Sequence, residues 1–200
     1  MLKNFLLIIV LISATVFAKA LPPKNDFYQL KIYHLKNANQ VSMMDDYLKN
    51  VYLPAMHRAG TKNIGVFKPI ANDTATDKLI YVFIPFASEE AWINIAGKLD
   101  KDNAYMNDAK PFMEAPSDKA PFERMESILM KAFPGQPHLV VPSGKNIERV
   151  FELRSYESPT ENLHKKKMAM FNTGGEIPLF NSSAFNPVFY GKVRSGSHMP

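Results

Sequence analysis

The chain is 200 residues long, carries 24 Lys and Arg against 19 Asp and Glu, and has a formal charge of +5 with no cysteine. The lack of thiols excludes disulfides, a lipoprotein anchor and cysteine metal ligands. So modest a positive balance is not that of a nucleic-acid-binding protein, and no nucleic-acid partner is expected.

Residues 1–20, MLKNFLLIIVLISATVFAKA, set one early cation, Lys3, before an apolar run from Phe5 to Ala18 and the small-x-small triplet Ala18, Lys19, Ala20. This is the pattern of a secretory signal peptide cleaved after Ala20, and the run is shorter than the roughly 20 residues a membrane span needs. A secreted or periplasmic location follows, with no stable membrane span after cleavage.

Residues 27–35 alternate, with Tyr28, Leu30 and Ile32 expected to meet helices and Gln29, Lys31 and Tyr33 on the opposite face. Val41, Met44, Leu48, Val51, Tyr52 and Ala55 then recur at helical spacing, in a helix that Pro54 should kink or end and Gly60 should stop. Residues 64–70 and 79–86 are rich in β-formers and flank the turn-forming ANDTATDK, which predicts a hairpin. Ser88 is placed to cap a helix with Glu89 and Glu90 in its first turn and Trp92, Ile95, Ala96 and Leu99 as its buried stripe. A short helix over 102–110 and a strand over 124–133 complete the order βαββαβ, the ferredoxin-like arrangement, across residues 21–133.

Residues 134–148 are punctuated by Pro134, Gly135, Pro137, Pro142 and Gly144 and read as a linker. Residues 149–200 read as a second, partial unit. It comprises a strand over 150–156, a helix opened by the capping box Ser158, Pro159, Thr160, Glu161 and stopped at Gly174 and Gly175, and a strand over 185–193. A complete second unit needs a further strand, helix and strand, so the chain is expected to be a fragment of a longer one. The second unit also opens like the first. Aligned without gaps, residues 150–159 repeat 27–36, with Leu30 and Tyr33 matched by Leu153 and Tyr156, and Gln29 and Lys31 matched in type by Glu152 and Arg154.

FYQLKIYHL at 27–35, LPAMHRAGTKNIGVF at 53–67, VFELRSYESPTENLHKKKMAMFNTGGEIPLF at 150–180 and NPVFYGKVRSGSHMP at 186–200 resemble the NIPSNAP family. Its tandem bacterial members carry two ferredoxin-like units of the dimeric α+β barrel superfamily. The resemblance implies an α+β fold in which two such units form a barrel-like pseudo-dimer, the second incomplete here. It also implies facing sheets with helices outside, so that Gln29, Lys31 and Tyr33 oppose Glu152, Arg154 and Tyr156 across one pocket.

On that reading Arg154 orients an anionic or carbonyl group, Glu152 accepts a proton, and Tyr33 and Tyr156 donate hydroxyls. The alternatives for Glu152 and Arg154 are a structural ion pair or a solvated face. Glu176, after a Gly-Gly hinge, is a further candidate for the pocket mouth. The histidines at 34, 57, 138, 164 and 198 show no HxH or HxxxH spacing, so neither a metal nor a cofactor is assigned. Lys165, Lys166 and Lys167 read as a solvated helix face. No GxSxG, Walker or GxGxxG sequence occurs.

The leading expectation is a NIPSNAP-like protein binding a small organic molecule between facing sheets. A cofactor-free oxygenase or isomerase using Glu152, Arg154 and the tyrosines is one alternative. An interaction or scaffold protein whose sheet faces, with Phe67, Tyr81 and Phe83, are filled by self-association into a homodimer is the other.

Overall fold

The computed structural model describes residues 24–143, 149–183, 185–197 and 199–200. The expected signal peptide at 1–20 and part of the expected linker lie outside them. The first unit has strands β1 (Phe27–Leu35), β2 (Gly65–Phe67), β3 (Lys78–Phe86) and β4 (Arg124–Ala132) in one antiparallel sheet. The spatial order β2-β3-β1-β4, with helices after β1 and β3, is the ferredoxin-like α+β arrangement.

Of the two outcomes expected at Pro54, a kink or an end, the end does not occur: the first helix runs on to Arg58. Its segments are α1 (Ala38–Tyr47), a π-turn over Leu48–Tyr52, and α2 (Leu53–Arg58). Proline cannot donate to the residue four before it. The turn upstream widens, so that the Leu53 N–H bonds the Leu48 carbonyl five residues back. The helix ends in a Schellman motif in which Thr61 N–H reaches the Met56 carbonyl and Gly60 N–H the His57 carbonyl. Gly60 supplies the left-handed φ of +97°. Met44, Tyr47, Leu48, Tyr52, Ala55 and Met56 are buried against the sheet. Each large apolar side chain among them contributes roughly 1.5–3 kcal/mol of burial.

The two faces of β1 are the reverse of the sequence expectation. Phe27, Tyr33 and Leu35 join the helix-side core, while Tyr28, Leu30 and Ile32 lie on the other face with Phe83, Ile128 and Met130. Both faces are apolar enough to be buried, so alternation separated them without saying which meets helices. The segments before and after the second half's helices cover the second face, through Leu139 and Phe189, and Val193 of the fifth strand extends it. Ser88 Oγ accepts from the Ala91 N–H at 3.2 Å as expected. The helix it starts breaks at Asn94 into α3 (Glu89–Ile93) and α4 (Ile95–Leu99), which leaves Ala96 exposed. Then come α5 (Asn103–Asp108) and α6 (Lys110–Met113).

In the second half, residues 150–156 form no strand, and all seven are exposed. Helix α7 (Glu161–Asn172) is capped by Thr160, whose Oγ1 accepts from the Leu163 N–H at 3.3 Å. The helix therefore starts two residues later than the capping box suggested, with Pro159 outside it. A helix not expected, α8 (Glu176–Ser182), follows Gly175. The final strand, β5 (Gly191–Ser195), is later and shorter than the expected 185–193. It pairs with the free edge of β4, which makes the sheet five-stranded. Joining that edge satisfies backbone groups that an isolated strand would leave open.

Candidate functional site

The helix side of β1 carries a polar and aromatic cluster. Lys31 and Tyr33 project from the strand, Tyr47 and Tyr52 flank the π-turn, and Tyr105 comes from α5. The π-turn shifts the helix face enough to bring Tyr52 over the lysine. Lys31 Nζ donates to Tyr52 Oη at 3.3 Å and lies 5.1 Å from the centre of that ring. The Tyr47 and Tyr105 hydroxyls are 2.9 Å apart, and Tyr47 stacks face to face on Phe112 at 3.7 Å. Phe122 meets Tyr33 edge-on at 5.3 Å.

Lys31 makes no ion pair with a carboxylate among the described residues. Its sequence neighbour on the same face, Gln29, is neutral and donates to Ser127 Oγ at 2.9 Å. Burial pushes the Lys31 ammonium below its ordinary value, with no opposing charge to hold it up. The same burial, followed by the neighbouring Tyr105, pushes the Tyr33 phenol up to about 12. Burial also raises Tyr52, and it raises Tyr47 together with the hydrogen bond from Tyr105. Burial thus favours the protonated phenol at Tyr33, Tyr47 and Tyr52 and the neutral form of the amine at Lys31.

The cover over this cluster is thin. Between residues 100 and 123 only Tyr105, Ala109 and Pro121 are buried, and Lys31 itself is only partly enclosed. The cover consists of two helices of six and four residues whose side chains are mostly exposed, held to the helix below chiefly by Tyr105 and Phe112 on Tyr47; short, exposed segments of this kind are the first to open locally.

Of the residues nominated by sequence, Gln29, Lys31 and Tyr33 thus share one face of β1, on the helix side and not on a barrel lining. Glu152, Arg154, Tyr156 and Glu176 gather elsewhere. Arg154 donates from Nε and Nη2 to both oxygens of Glu152, at 2.9 and 3.0 Å, and sits beside the edge-to-face pair Phe180 and Phe185, 5.7 and 5.5 Å from their ring centres. Tyr156 packs on Phe171, while Lys167 reaches its ring at 4.6 Å and Glu176 Oε1 at 3.7 Å. Arg154 is held above its ordinary value by Glu152, which is itself held down by Arg154. The structure does not set this group opposite the first.

One constellation was missed in the sequence. His34 is buried at the end of β1, with Asp77 Oδ2 at 2.7 Å from Nδ1 and Glu126 Oε1 at 3.0 Å from Nε2. Arg124 Nη1 donates to Glu126 Oε1 at 2.6 Å and Ser197 Oγ to its Oε2 at 2.9 Å, which ties β1, β4, the turn before β3 and the tail after β5 together. The signal was available in part: alternation continues the apolar stripes Leu30, Ile32 and Ile128, Met130 into His34 and Glu126. Among the described residues no group of three or more His, Cys, Asp or Glu could hold a metal ion. No helix among them is long and apolar enough to cross a membrane.

No protein-family model matches this sequence, and no curated protein matches it. Solved structures similar to this chain include a provisionally named antibiotic biosynthesis monooxygenase from Bacillus cereus, at 16% identity and a TM-score of 0.34, covering 60% of this chain and 97% of that one. Another is the monooxygenase from the gene ActVA-Orf6 of Streptomyces coelicolor in complex with nanaomycin D, at 12% identity and a TM-score of 0.39, covering 60% and 96%. At that level of likeness the chemistry rests on this chain's own residues.

Proposed function

We propose that this is a secreted or periplasmic, NIPSNAP-like protein that binds a small, flat organic molecule between the sheet and its helices, at Lys31 and the tyrosines around it. The observation that supports this reading is a lysine without a carboxylate partner, set among phenols under a lightly anchored cover. A structural lysine in such surroundings is costly to keep, and perturbed groups of this kind concentrate at binding and catalytic sites. Aromatic walls suit a planar ligand, while Tyr33, Tyr47, Tyr52 and Tyr105 offer hydroxyls to its oxygens. Displacement of α5 and α6 admits the ligand. A phenol or enol held there gives its proton to Lys31, which is the first step of a cofactor-free oxygenase or isomerase.

Ligand-observed NMR with 4-hydroxybenzoate and 1,4-naphthoquinone tests the reading. Binding is expected for the native chain and for Arg154→Ala, and is expected to be lost in Lys31→Met. Binding that survives Lys31→Met but not Arg154→Ala moves the site to the second half, and no binding of either compound removes the proposal.

A further inference from the structure

The rest of the molecule offers fewer free reactive groups. Arg154 is already neutralised by Glu152, and both nitrogens of His34 are engaged. A groove of about 610 Å³ beside residues 135–143 is lined chiefly by prolines, valines and asparagines, and its one histidine, His138, contacts Asp26. Lys31 differs from all of these: its amine is hydrogen-bonded to a phenol, Tyr52, and is paired with no carboxylate among the described residues.

We propose that Lys31 is a Schiff-base amine, whose Nζ condenses with the carbonyl carbon of an aromatic aldehyde or ketone held among Tyr33, Tyr47 and Tyr52. This rests on the binding site proposed above and names its substrate class. The geometry supplies the parts. Nζ and Tyr52 Oη are 3.3 Å apart, so one hydroxyl can serve both the attacking nitrogen and the carbonyl oxygen. Desolvation in aromatic surroundings is one of the ways a lysine becomes nucleophilic. A carboxylate beside the amine would hold its proton on, and the position that could have supplied one is Gln29.

The Nζ lone pair forms the C–N bond as the carbonyl π pair moves onto oxygen. That oxygen takes the Tyr52 proton, and the resulting phenolate removes a proton from the nitrogen, giving a neutral carbinolamine. The nitrogen lone pair then expels the hydroxyl group, which leaves as water after taking up a proton from Tyr52. The nitrogen gives its last proton back to the phenolate, and C=N remains. Amine and carbonyl have become imine and water, with no change of oxidation state. The tyrosines keep their protons to well above neutral pH, so Tyr52 serves as the acid.

The test is reductive trapping. The purified chain is incubated at pH 7 with 4-hydroxybenzaldehyde and cyanoborohydride, whose hydride converts the imine to a stable secondary amine, and the labelled lysine is found by peptide mass spectrometry. A single adduct on Lys31 is expected, at least ten-fold ahead of the exposed Lys165 and Lys166. Tyr52→Phe, which keeps the ring and the lysine, is expected to slow trapping several-fold. Labelling spread over Lys165 and Lys166 without Lys31 overturns the proposal. In that case 4-hydroxybenzoate, which has no aldehyde carbon, separates the two failures. If it still binds in a Lys31-dependent manner, only the Schiff base falls; if it does not, the binding site falls as well.

Discussion

The two copies of the repeated motif end in opposite environments. In the first, Lys31 is partly enclosed beneath a helix, with Tyr52 as its polar partner and neutral Gln29 two residues before it. In the second, Arg154 stands in solvent with Glu152 two residues before it, locked in a two-point ion pair. The pair of substitutions makes physical sense. A cation with its own carboxylate is at home on a surface and gains little from either neighbour, whereas one without a carboxylate is perturbed wherever water is withdrawn. The difference teaches that the residue at the position two before the cation, more than the cation itself, sets how far that cation is perturbed.

The comparison can be broken most forcefully at its packing. Tyr47→Ala removes the stack on Phe112 and the hydroxyl contact with Tyr105, and is expected to cost about 3–5 kcal/mol in urea unfolding. Lys31→Met should act in the opposite sense, stabilising by about 1–4 kcal/mol, because an apolar side chain replaces a poorly solvated charge. The gain has a pH signature. The folded ammonium loses its proton below the ordinary value of 10.5, so between the folded value and 10.5 the unfolded chain binds more protons and native stability rises with pH. Lys31→Met removes that rise, so its advantage is expected to shrink when unfolding is followed from pH 7 to 9.5.

Gln29→Glu sharpens the contrast by writing the second copy's chemistry into the first. It should hold the Lys31 proton on and cut aldehyde trapping at pH 7 by about ten-fold. Glu126 offers an acid-side counterpart: its carboxyl lies below its ordinary value because Arg124 first, then Ser197, donate to it. Such a group stabilises above the unfolded value near 4.5 and loses its contribution as pH falls through the folded value. Glu126→Gln is expected to lower Tm by about 2–4 °C at pH 6, and by progressively less as pH falls below 4.5. Arg154→Met is the smallest change, within about 0.5 kcal/mol of the native chain.

Much of the first unit was legible because its signals are local. Alternation placed β1, β-forming composition placed β3, the βαββαβ order placed β4, Ser88 announced its cap, and Gly60 its helix stop. What sequence could not show depends on which surfaces meet. Both stripes of β1 are apolar, so their assignment to helices or to the opposite face was decided by the partners that Met44, Tyr47 and Phe189 provide. Pro54 looked like a kink or an end because a π-turn has no simple residue signature. Residues 150–156 have the composition of a strand but no neighbour to pair with, and β5 took the edge of β4 instead. At the site, Lys31 and Tyr33 were nominated from the repeat, while Tyr47, Tyr52 and Tyr105 arrived through tertiary packing at distances in sequence that no motif spans.

The most direct test is an NMR titration of the lysine Cε–Hε resonances from pH 6 to 11, with Lys31 assigned by its loss in Lys31→Met. Lys31 is expected to titrate clearly below the exposed Lys165 and Lys166 in the native chain, and to move back toward them in Gln29→Glu. If Lys31 instead titrates at its ordinary value of 10.5, its amine is an ordinary solvated cation, and neither the binding site nor the Schiff-base chemistry can stand on it.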